Sequence, residues 1–422
     1  MSWLLLLLGV VGSLHAANAL RPRKGSPLLF AWSFFASWMT IELVWHHLVL
    51  GTLVTALLVN AGALDQPVGV VGLVLMVITG VLLVIIGLST GKTRVTMHGA
   101  LVDLEPEDAA PRFPRSHVVF PVLLNHRKGV RRVRNVEFAR VGGRHLRLDV
   151  TVPSAPVPAG RTRRPALMQI HGGGWVIGDK REQGLPLLNH MAAQGWVGFN
   201  VNYRLSPGVA FPEHLVDLKR GLAWIKEHAD EYGIDPDFVC VTGGSAGGHL
   251  TAMMGLTAND PTFQPGFEQA DTSVAAAVPF YGLYDFTDEG AFGGDPKIFE
   301  RFLEPLVMKA FLADEPEKFR AASPIYHLRA DAPPFFVVHG DRDTLAPVED
   351  ARTFVEQLRA VSSEPVLYAE MRGAQHAFEV FPSVRTATVI EGVERFLSTL
   401  WARRDASTPA VEAGLAETLT SG

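Results

Sequence analysis

Residues 239–250 read Val-Cys-Val-Thr-Gly-Gly-Ser-Ala-Gly-Gly-His-Leu, and this stretch decides the fold. An apolar run ends at Thr242, a turn of small residues follows, and a helix-forming pattern begins at His249. The centre of the stretch is G-x-S-x-G around Ser245. A sharp turn between a strand and a helix lifts a serine hydroxyl off the backbone, and glycine two residues to either side relieves the crowding. A P-loop or a merely tight turn is the alternative, but no Gly-Lys-Ser/Thr follows, as a P-loop requires.

Strand and helix patterns alternate on both sides of this turn. The candidate strands are 130–141 and 145–152 (an antiparallel pair joined at Gly142-Gly143), 165–170, 196–203, the run before Ser245, 274–281, 334–339 and 365–371. The candidate helices are 212–232, the segment after Ser245, 347–361 and 378–401. The alternation predicts an α/β protein with a mostly parallel sheet that is covered by helices on both faces. Active sites on such sheets lie at the carboxyl ends of strands, and His171, Ser245 and Asp343 all follow predicted strand ends.

A nucleophilic serine needs a base, and the base needs a carboxylate that orients it. Residues 335–345 place two acids at a strand end, and residues 372–378 place a histidine at the end of the next strand. The chain order Ser, Asp, His is that of α/β hydrolases. We therefore predict Ser245, Asp343 and His376 as the catalytic residues.

Neighbouring residues compete for two of these roles. Asp341 is the alternative acid, but Asp343 stands further into the turn, and we expect Asp341 to cap that turn through an Asx hydrogen bond. His339 and His327 are alternative bases. His339 has the position of a packed residue at a strand end, and His327 precedes the acid in the chain, which is the wrong order.

The third requirement is a set of donors for the developing oxyanion. Residues 171–174 read His-Gly-Gly-Gly, a turn in which no side chain blocks the approach to backbone N–H groups. We predict that the amides of Gly173, Gly174 and Ala246 form the oxyanion hole. Three residues are predicted to support this loop: His171, Gly172 and Asp179, with a plain surface carboxylate as the alternative for Asp179.

Six motifs together resemble the hormone-sensitive-lipase-like (family IV) carboxylesterases of the α/β-hydrolase fold, over roughly residues 130–400. They are His171-Gly172-Gly173-Gly174-Trp175, Asn202-Tyr203-Arg204-Leu205-Ser206-Pro207, Phe211-Pro212, Gly243-Gly244-Ser245-Ala246-Gly247-Gly248, His339-Gly340-Asp341-Arg342-Asp343 and His376-Ala377-Phe378. The resemblance implies acyl-ester hydrolysis through an acyl-enzyme, with Asp343 opening a D-x-L turn and His376 in H-x-F. Two features depart from the family: glycine precedes Ser245 where an acid is common, and the usual N-terminal cap is replaced by apolar segments.

The first ninety residues predict a membrane anchor. Mean hydropathy over the chain is +0.18, and the apolar excess is concentrated in residues 1–90. About 20 apolar residues cross a bilayer as a helix. We predict about three spans, at 2–20, 43–63 and 68–89, with an interfacial or tilted segment at 28–42. A cleaved signal peptide is the alternative for residues 2–20, but no basic residue precedes that run.

Charge around the spans predicts their orientation. With three spans, Arg21–Lys24, Lys92 and Arg94 lie on the inner side, which places a multi-pass protein in the cell membrane with its catalytic domain in the cytoplasm. Four spans would reverse this. Glu42 and His46 are four residues apart and could pair on one helical face within the membrane, or could both stay hydrated at the interface.

The remaining segments complete the domain organisation. Residues 91–129 are predicted to be a connector or lid without persistent helix or strand periodicity, and residues 130–405 the catalytic domain. A small helical cap is expected at about 288–320, and residues 406–422 are expected to be disordered.

We therefore expect a membrane-anchored serine esterase or lipase that acts on lipid or other apolar acyl esters. A serine peptidase or amidase similar to the prolyl-oligopeptidase group, an acyltransferase and a non-catalytic binding protein are the alternatives. The expected partners are a small-molecule or lipid ester and the bilayer; the net charge of -5 without a basic block disfavours nucleic acid. The triad chemistry needs no metal or cofactor, and the single cysteine, Cys240, fits a buried strand residue.

Overall fold

The structure is a computed structural model, and it describes residues 1–23, 30–104, 112–121, 127–157, 162–288 and 296–420. Eight strands form one sheet in the spatial order β1-β2-β4-β3-β5-β6-β7-β8. Their bounds are β1 Val130–Val141, β2 Arg144–Pro153, β3 Arg164–Ile170, β4 Val197–Val201, β5 Ile234–Gly244, β6 Ala276–Phe280, β7 Phe335–Gly340 and β8 Val366–Met371. The pairs β1–β2 and β2–β4 are antiparallel, and all other neighbours are parallel.

Helices precede the sheet and cover both of its faces. Their bounds are α1 Ser2–Leu20, α2 Phe30–Glu42, α3 Val44–Asn60, α4 Pro67–Thr90, α5 Thr93–Leu101, α6 Arg115–Val119, α7 Leu185–Ala193, α8 Glu213–Glu227, α9 Ala229–Tyr232, α10 Ala246–Leu256, α11 Pro296–Ile298, α12 Pro316–Ala321, α13 Val348–Val361 and α14 Val384–Thr420. A π-helical segment, Phe299–Met308, follows α11 and is called the cap helix below. The prediction of a mostly parallel sheet between helical layers is confirmed; helix α7 had not been predicted.

Two hydrophobic cores form on the two faces of the sheet, because successive strand residues point to opposite sides. Met168 and Val241 face the core that α8, α10 and α13 complete. Leu167 and Cys240 face the other core, which α5, α7 and α14 complete. Strands β3 and β4 are buried along their whole length, as expected for parallel strands covered on both faces. Cys240 is a buried strand residue, as predicted.

The N-terminal helices differ in detail from the predicted spans. By length and composition, α1 and the stretch Pro67–Leu104 could cross a membrane, and α2 with α3 could supply a third span as a bent pair. The pair is bent by 87° at Leu43, so the predicted span at 43–63 is a helix that ends at Asn60 and is joined to α2. Helices α1 and α4 pack closely: a Cβ on Gly72 would lie 2.6 Å from the amide nitrogen of Leu6. Small residues permit such close approach of apolar helices.

The proposed pairing of Glu42 with His46 is wrong. The Glu42 carboxylate faces the start of α14, where it accepts a hydrogen bond of 2.6 Å from the Ser383 hydroxyl and lies 3.1 Å from the Arg385 guanidinium. His46 instead contacts the carbonyl of Val119 at 3.0 Å. The break at Leu43 turns α3 away from α2, so a spacing of four residues across it does not place two side chains on one helical face.

The connector and the C-terminal tail are more helical than expected. Within the predicted connector 91–129, helix α5 packs Met97 and Leu101 into the core beside α14. The predicted cap is α11, the cap helix and α12. The predicted tail continues helix α14 to Thr420, in a stretch rich in the helix formers alanine, leucine and glutamate. Parts of the predictions fall on residues 24–29, 105–111, 122–126, 289–295 and 421–422, which lie outside the described residues.

Candidate active site

Ser245 occupies the sharp turn between β5 and α10. Its backbone has φ 60° and ψ −124°, a conformation that a non-glycine residue adopts only when the surroundings impose it. The Ser245 amide donates to the carbonyl of Phe280 at 3.0 Å, which ties the turn to the end of β6. A Cβ on Gly243 would lie 2.5 Å from the carbonyl oxygen of Ile170, and one on Gly247 would lie 2.3 Å from the same atom. Glycine is therefore required at both positions, as the motif predicts.

The structure brings Asp343 and His376 together at the ends of β7 and β8. The His376 Nδ1–H donates to Asp343 Oδ2 at 2.7 Å, and both side chains are buried. The other carboxylate oxygen accepts from the amides of Leu345 and Ala346, each at 2.8 Å. Burial alone would raise the pKa of Asp343, but the facing His376 and the nearby His339 hold it below its ordinary value. Asp343 is therefore ionised, and it directs the remaining nitrogen of His376, Nε2, away from itself.

The competing residues have other partners. Asp341 Oδ1 accepts from the Gly373 amide at 2.6 Å, so the expectation that Asp341 caps its own turn is wrong; Asp343 makes the Asx-type bonds. His339 is buried; its Nε2 lies 2.9 Å from the Ala346 carbonyl oxygen and 3.4 Å from Asp343 Oδ2. His327 contacts the Ala321 carbonyl at 3.0 Å. The Asp343 side chain therefore both accepts the hydrogen bonds that stabilise its turn and contacts His376.

The glycine loop after β3 lies beside Ser245. A Cβ on Gly172 would lie 3.1 Å from the Cβ of Ser245. Gly173 has φ 113°, and its carbonyl accepts from the amides of Val176 and Ile177, which closes a tight turn. In the described part of the chain, the amides of Gly173, Gly174 and Ala246 donate to no protein acceptor.

Hydrogen bonds hold the glycine loop from behind. The Gly172 amide donates to Gln183 Oε1 at 2.7 Å, and the His171 ring stacks on Tyr203 with a centroid distance of 4.5 Å. The Asp179 carboxylate accepts from Asn202 Nδ2 at 2.9 Å, beyond the end of β4. Although burial opposes it, hydrogen bonds from Arg181 and Asn202 lower the pKa of Asp179 to about 2. Asp179 therefore connects the loop to the sheet, while the direct partner of Gly172 is Gln183, which the sequence reasoning missed.

Tyr281 is a second residue that the sequence reasoning missed. It directly follows β6, has φ 35°, and its ring centroid lies 4.4 Å from that of His376. Its hydroxyl would lie 2.5 Å from a Cβ on Gly244, the residue before Ser245, so Tyr281 is wedged between the serine turn and the histidine. The hydroxyl donates to Glu379, and burial raises the pKa of Glu379 to about 7. The signal available in the sequence was its position at the end of the strand after the serine strand.

A residue of the cap helix lies against the glycine loop. Phe302 of the cap helix lies 2.9 Å from where a Cβ on Gly174 would be, so any larger residue at position 174 would have to displace that ring. Within the described ranges, no group of three or more histidine, cysteine, aspartate or glutamate side chains could hold a metal ion. The half-buried serine turn, the histidine–carboxylate pair and the glycine loop thus all follow the carboxyl ends of strands, at one edge of the sheet.

Comparison with known proteins assigns the family. Residues 148–358 match the family described as BD-FAE. Esterase LipC of Mycobacterium tuberculosis is 40% identical over 301 residues, which are 70% of this chain and 72% of LipC. The chain belongs to the BD-FAE family. The matched stretch contains Ser245 and Asp343, and His376 lies beyond it.

Two other relatives are also named as ester hydrolases. "Probable carboxylic ester hydrolase LipM" of Mycobacterium tuberculosis is 51% identical over 251 residues, which are 58% of this chain and 58% of LipM. Esterase LipQ of the same organism is 44% identical over 263 residues, 62% of this chain and 61% of LipQ. The chain thus matches about three fifths of the length of these two relatives.

A solved esterase structure shares the fold of this BD-FAE family member. The propionate-bound Est2 esterase of Thermogutta terrifontis superposes with a TM-score of 0.53 at 27% identity, and the match covers 64% of this chain and 94% of Est2. The resemblance to carboxylesterases of the α/β-hydrolase fold, predicted from the motifs, is confirmed at the level of family and fold.

Proposed function

We propose that this protein hydrolyses carboxylic esters with Ser245 as the nucleophile, His376 as the general base and Asp343 as the carboxylate that orients it. The observation that carries the proposal is the 2.7 Å hydrogen bond from His376 Nδ1 to Asp343 Oδ2, at the sheet edge that also presents Ser245. Esterase relatives at 40–51% identity support the reaction class.

In the proposed reaction, each of these groups has one role. His376 Nε2 takes the proton of the Ser245 hydroxyl while the oxygen attacks the ester carbonyl, and Asp343 stabilises the imidazolium that forms. The carbonyl oxygen gains negative charge and is stabilised by the amides of Gly173, Gly174 and Ala246. His376 then protonates the departing alkoxide, which leaves an acyl group on Ser245. A water molecule, activated by the same histidine, releases the acid.

Lipid or other apolar acyl esters are the proposed substrates, with the protein held in the cell membrane and its catalytic domain on the cytoplasmic side. Two or three of the N-terminal helices have the length and composition of membrane spans. Large apolar side chains are exposed on them, including Trp3, Leu57 and Leu88 at 67–71%. An anchor of this kind concentrates an enzyme where apolar esters dissolve.

The test compares the full-length protein with Ser245→Ala and, as a matched control, Ser363→Ala, which removes an exposed hydroxyl outside the site. We expect a fluorophosphonate to label the wild type and Ser363→Ala but not Ser245→Ala. Hydrolysis of p-nitrophenyl esters should fall by about 10³-fold or more in Ser245→Ala alone. Equal hydrolysis by Ser245→Ala and wild type would contradict the proposal.

Membrane fractions address the anchor and the orientation. We expect the activity to sediment with membranes and to resist an alkaline carbonate wash, which strips peripheral proteins. A membrane-impermeant fluorophosphonate should label Ser245 only after the cells are permeabilised. Labelling in intact cells would place the catalytic domain outside, and activity in the soluble fraction would contradict the anchor.

A further inference from the structure

Helix α2 contacts the chain on both sides of His376. Gln375, the residue before the histidine, donates from Nε2 to the Ser37 hydroxyl at 2.9 Å. Ala377, the residue after it, accepts at its carbonyl oxygen from Trp38 Nε1 at 2.8 Å. Two neighbouring residues of one helix are therefore hydrogen-bonded to the two residues that flank the proposed base.

The histidine itself meets the same helix. The Phe34 ring lies edge-on to the His376 ring, with a centroid distance of 6.3 Å. Phe34, Ser37 and Trp38 are spaced i, i+3 and i+4, so they share one helical face. The loop that carries His376, residues 375–377, packs against this face of α2.

Gln375 connects helix α2 to the loop that carries Asp343. Its Oε1 accepts from the amides of Thr344 and His376, at 2.8 and 2.9 Å, and its side chain is fully buried. Because both of those partners are N–H donors, the amide group has one allowed orientation, with Nε2 towards Ser37. One side chain thus joins the residue after Asp343, the backbone of His376 and helix α2.

The Trp38 contact acts on a strained part of the loop. Ala377 has φ 60°, a left-handed conformation that an alanine adopts at a cost and only when neighbours impose it. The indole N–H holds the Ala377 carbonyl, while the indole ring stacks on Phe381 with a centroid distance of 4.9 Å. Within the loop, the Val380 amide donates to the same carbonyl at 3.2 Å. The indole N–H is the donor that comes from helix α2, so it ties this strained part of the loop to that helix.

We propose that Ser37 and Trp38 are positioning residues for His376, so that the N-terminal helices are part of the catalytic structure as well as an anchor. This rests on the proposed function, since it concerns the same histidine. Neither residue touches the reacting atoms; each acts through the residue that flanks the base. A displacement of about 1 Å in a catalytic group can lower the rate by about 100-fold, so two lost hydrogen bonds are sufficient for a measurable effect.

The experiment uses the full-length protein in detergent and compares wild type, Trp38→Phe and the double variant Ser37→Ala/Trp38→Phe. Phenylalanine keeps an aromatic ring at this position but removes the N–H donor and part of the ring area. Trp32→Phe, on the exposed side of the same helix, is the matched control. The measurements are kcat and KM for p-nitrophenyl acetate, the rate of fluorophosphonate labelling of Ser245, the fraction of labelled protein at completion, and Tm.

We expect kcat per labelled site to fall by about tenfold or more in the double variant, with KM within about twofold of wild type and the labelling rate reduced in parallel. Trp38→Phe should fall between the double variant and wild type, and Trp32→Phe should match wild type. A purely structural role would lower Tm and the fraction of labelled protein while leaving kcat per labelled site unchanged, and that result would overturn the inference. Failure of the wild-type serine to label would instead contradict the proposed function.

Discussion

At the scale of single residues, the environments of two nearby carboxylates differ although their sequence context is similar. Asp343 is buried, accepts two backbone amides on one oxygen and His376 on the other. Asp341 is half-buried and accepts from the Gly373 amide. Only the first can stabilise a positive imidazole, because in the described structure only Asp343 accepts a hydrogen bond from the His376 ring.

We expect Asp343→Asn to lower kcat by about 10⁴-fold, since an amide nitrogen at that position would hold the imidazole in the wrong tautomer. Asp341→Asn is the matched control, because its amide oxygen can still accept from Gly373. Steady-state hydrolysis of a p-nitrophenyl ester by both variants measures the difference. Similar losses in the two variants would argue against Asp343 as the orienting acid.

At the scale of elements, the loop after β3 depends on the backbone freedom of glycine. A Cβ on Gly173 would lie 2.1 Å from the Ile177 carbonyl oxygen, and φ of 113° is itself unfavourable for any other residue. Gly142 in the β1–β2 turn also has positive φ, at 55°, but a Cβ there would meet open space. A substitution at Gly142 would therefore introduce backbone strain alone, whereas one at Gly173 would add a steric collision next to the site.

Gly173→Ala should reduce kcat/KM by about 10²–10³-fold, the loss typical of a missing oxyanion donor, because the turn that aims the 173 and 174 amides cannot close. Gly142→Ala should cost about 1 kcal/mol of stability and leave kcat/KM near that of the wild type. Kinetics and Tm for both variants give the comparison. Wild-type activity in Gly173→Ala would show that the loop does not supply the donors.

At the scale of the whole molecule, one buried ion pair joins the N-terminal helices to the catalytic domain. Glu42 at the end of α2 and Arg385 at the start of α14 lie 3.1 Å apart, and both side chains are 0% exposed. Arg385 also donates to the carbonyls of Arg372 and Gly373, in the loop just before His376. Removing one partner of such a pair leaves an uncompensated buried charge.

Glu42→Gln should therefore destabilise the protein by about 3 kcal/mol, because the Arg385 charge remains buried without its counter-charge. The control is Glu364→Gln, the same substitution at an exposed position. Thermal unfolding of the detergent-purified proteins measures the effect as a fall in Tm for Glu42→Gln alone. If both variants unfold at the same temperature, the ion pair does not hold the two parts together.

Local patterns were sufficient to predict the sheet and the three candidate catalytic residues. Glycine around Ser245, acids after one apolar run and a histidine after the next are constraints on neighbouring residues, and parallel strands bring their carboxyl ends to one edge whatever the loops do. The same reasoning could not find Gln183, which contacts Gly172 from a later position in the same loop, or Tyr281, which contacts His376 from the end of a different strand.

The sequence by itself determined the α/β class, the mostly parallel character of the sheet and the apolar character of the first ninety residues, because hydrophobic periodicity is a local property. Only the tertiary structure decided what the polar residues of those helices face. Glu42 turned out to meet Arg385, 343 positions away, instead of His46 on the next turn, and Ser37 and Trp38 met the residues around His376. Such pairings depend on how whole helices dock against the sheet edge, which no single stretch of chain encodes.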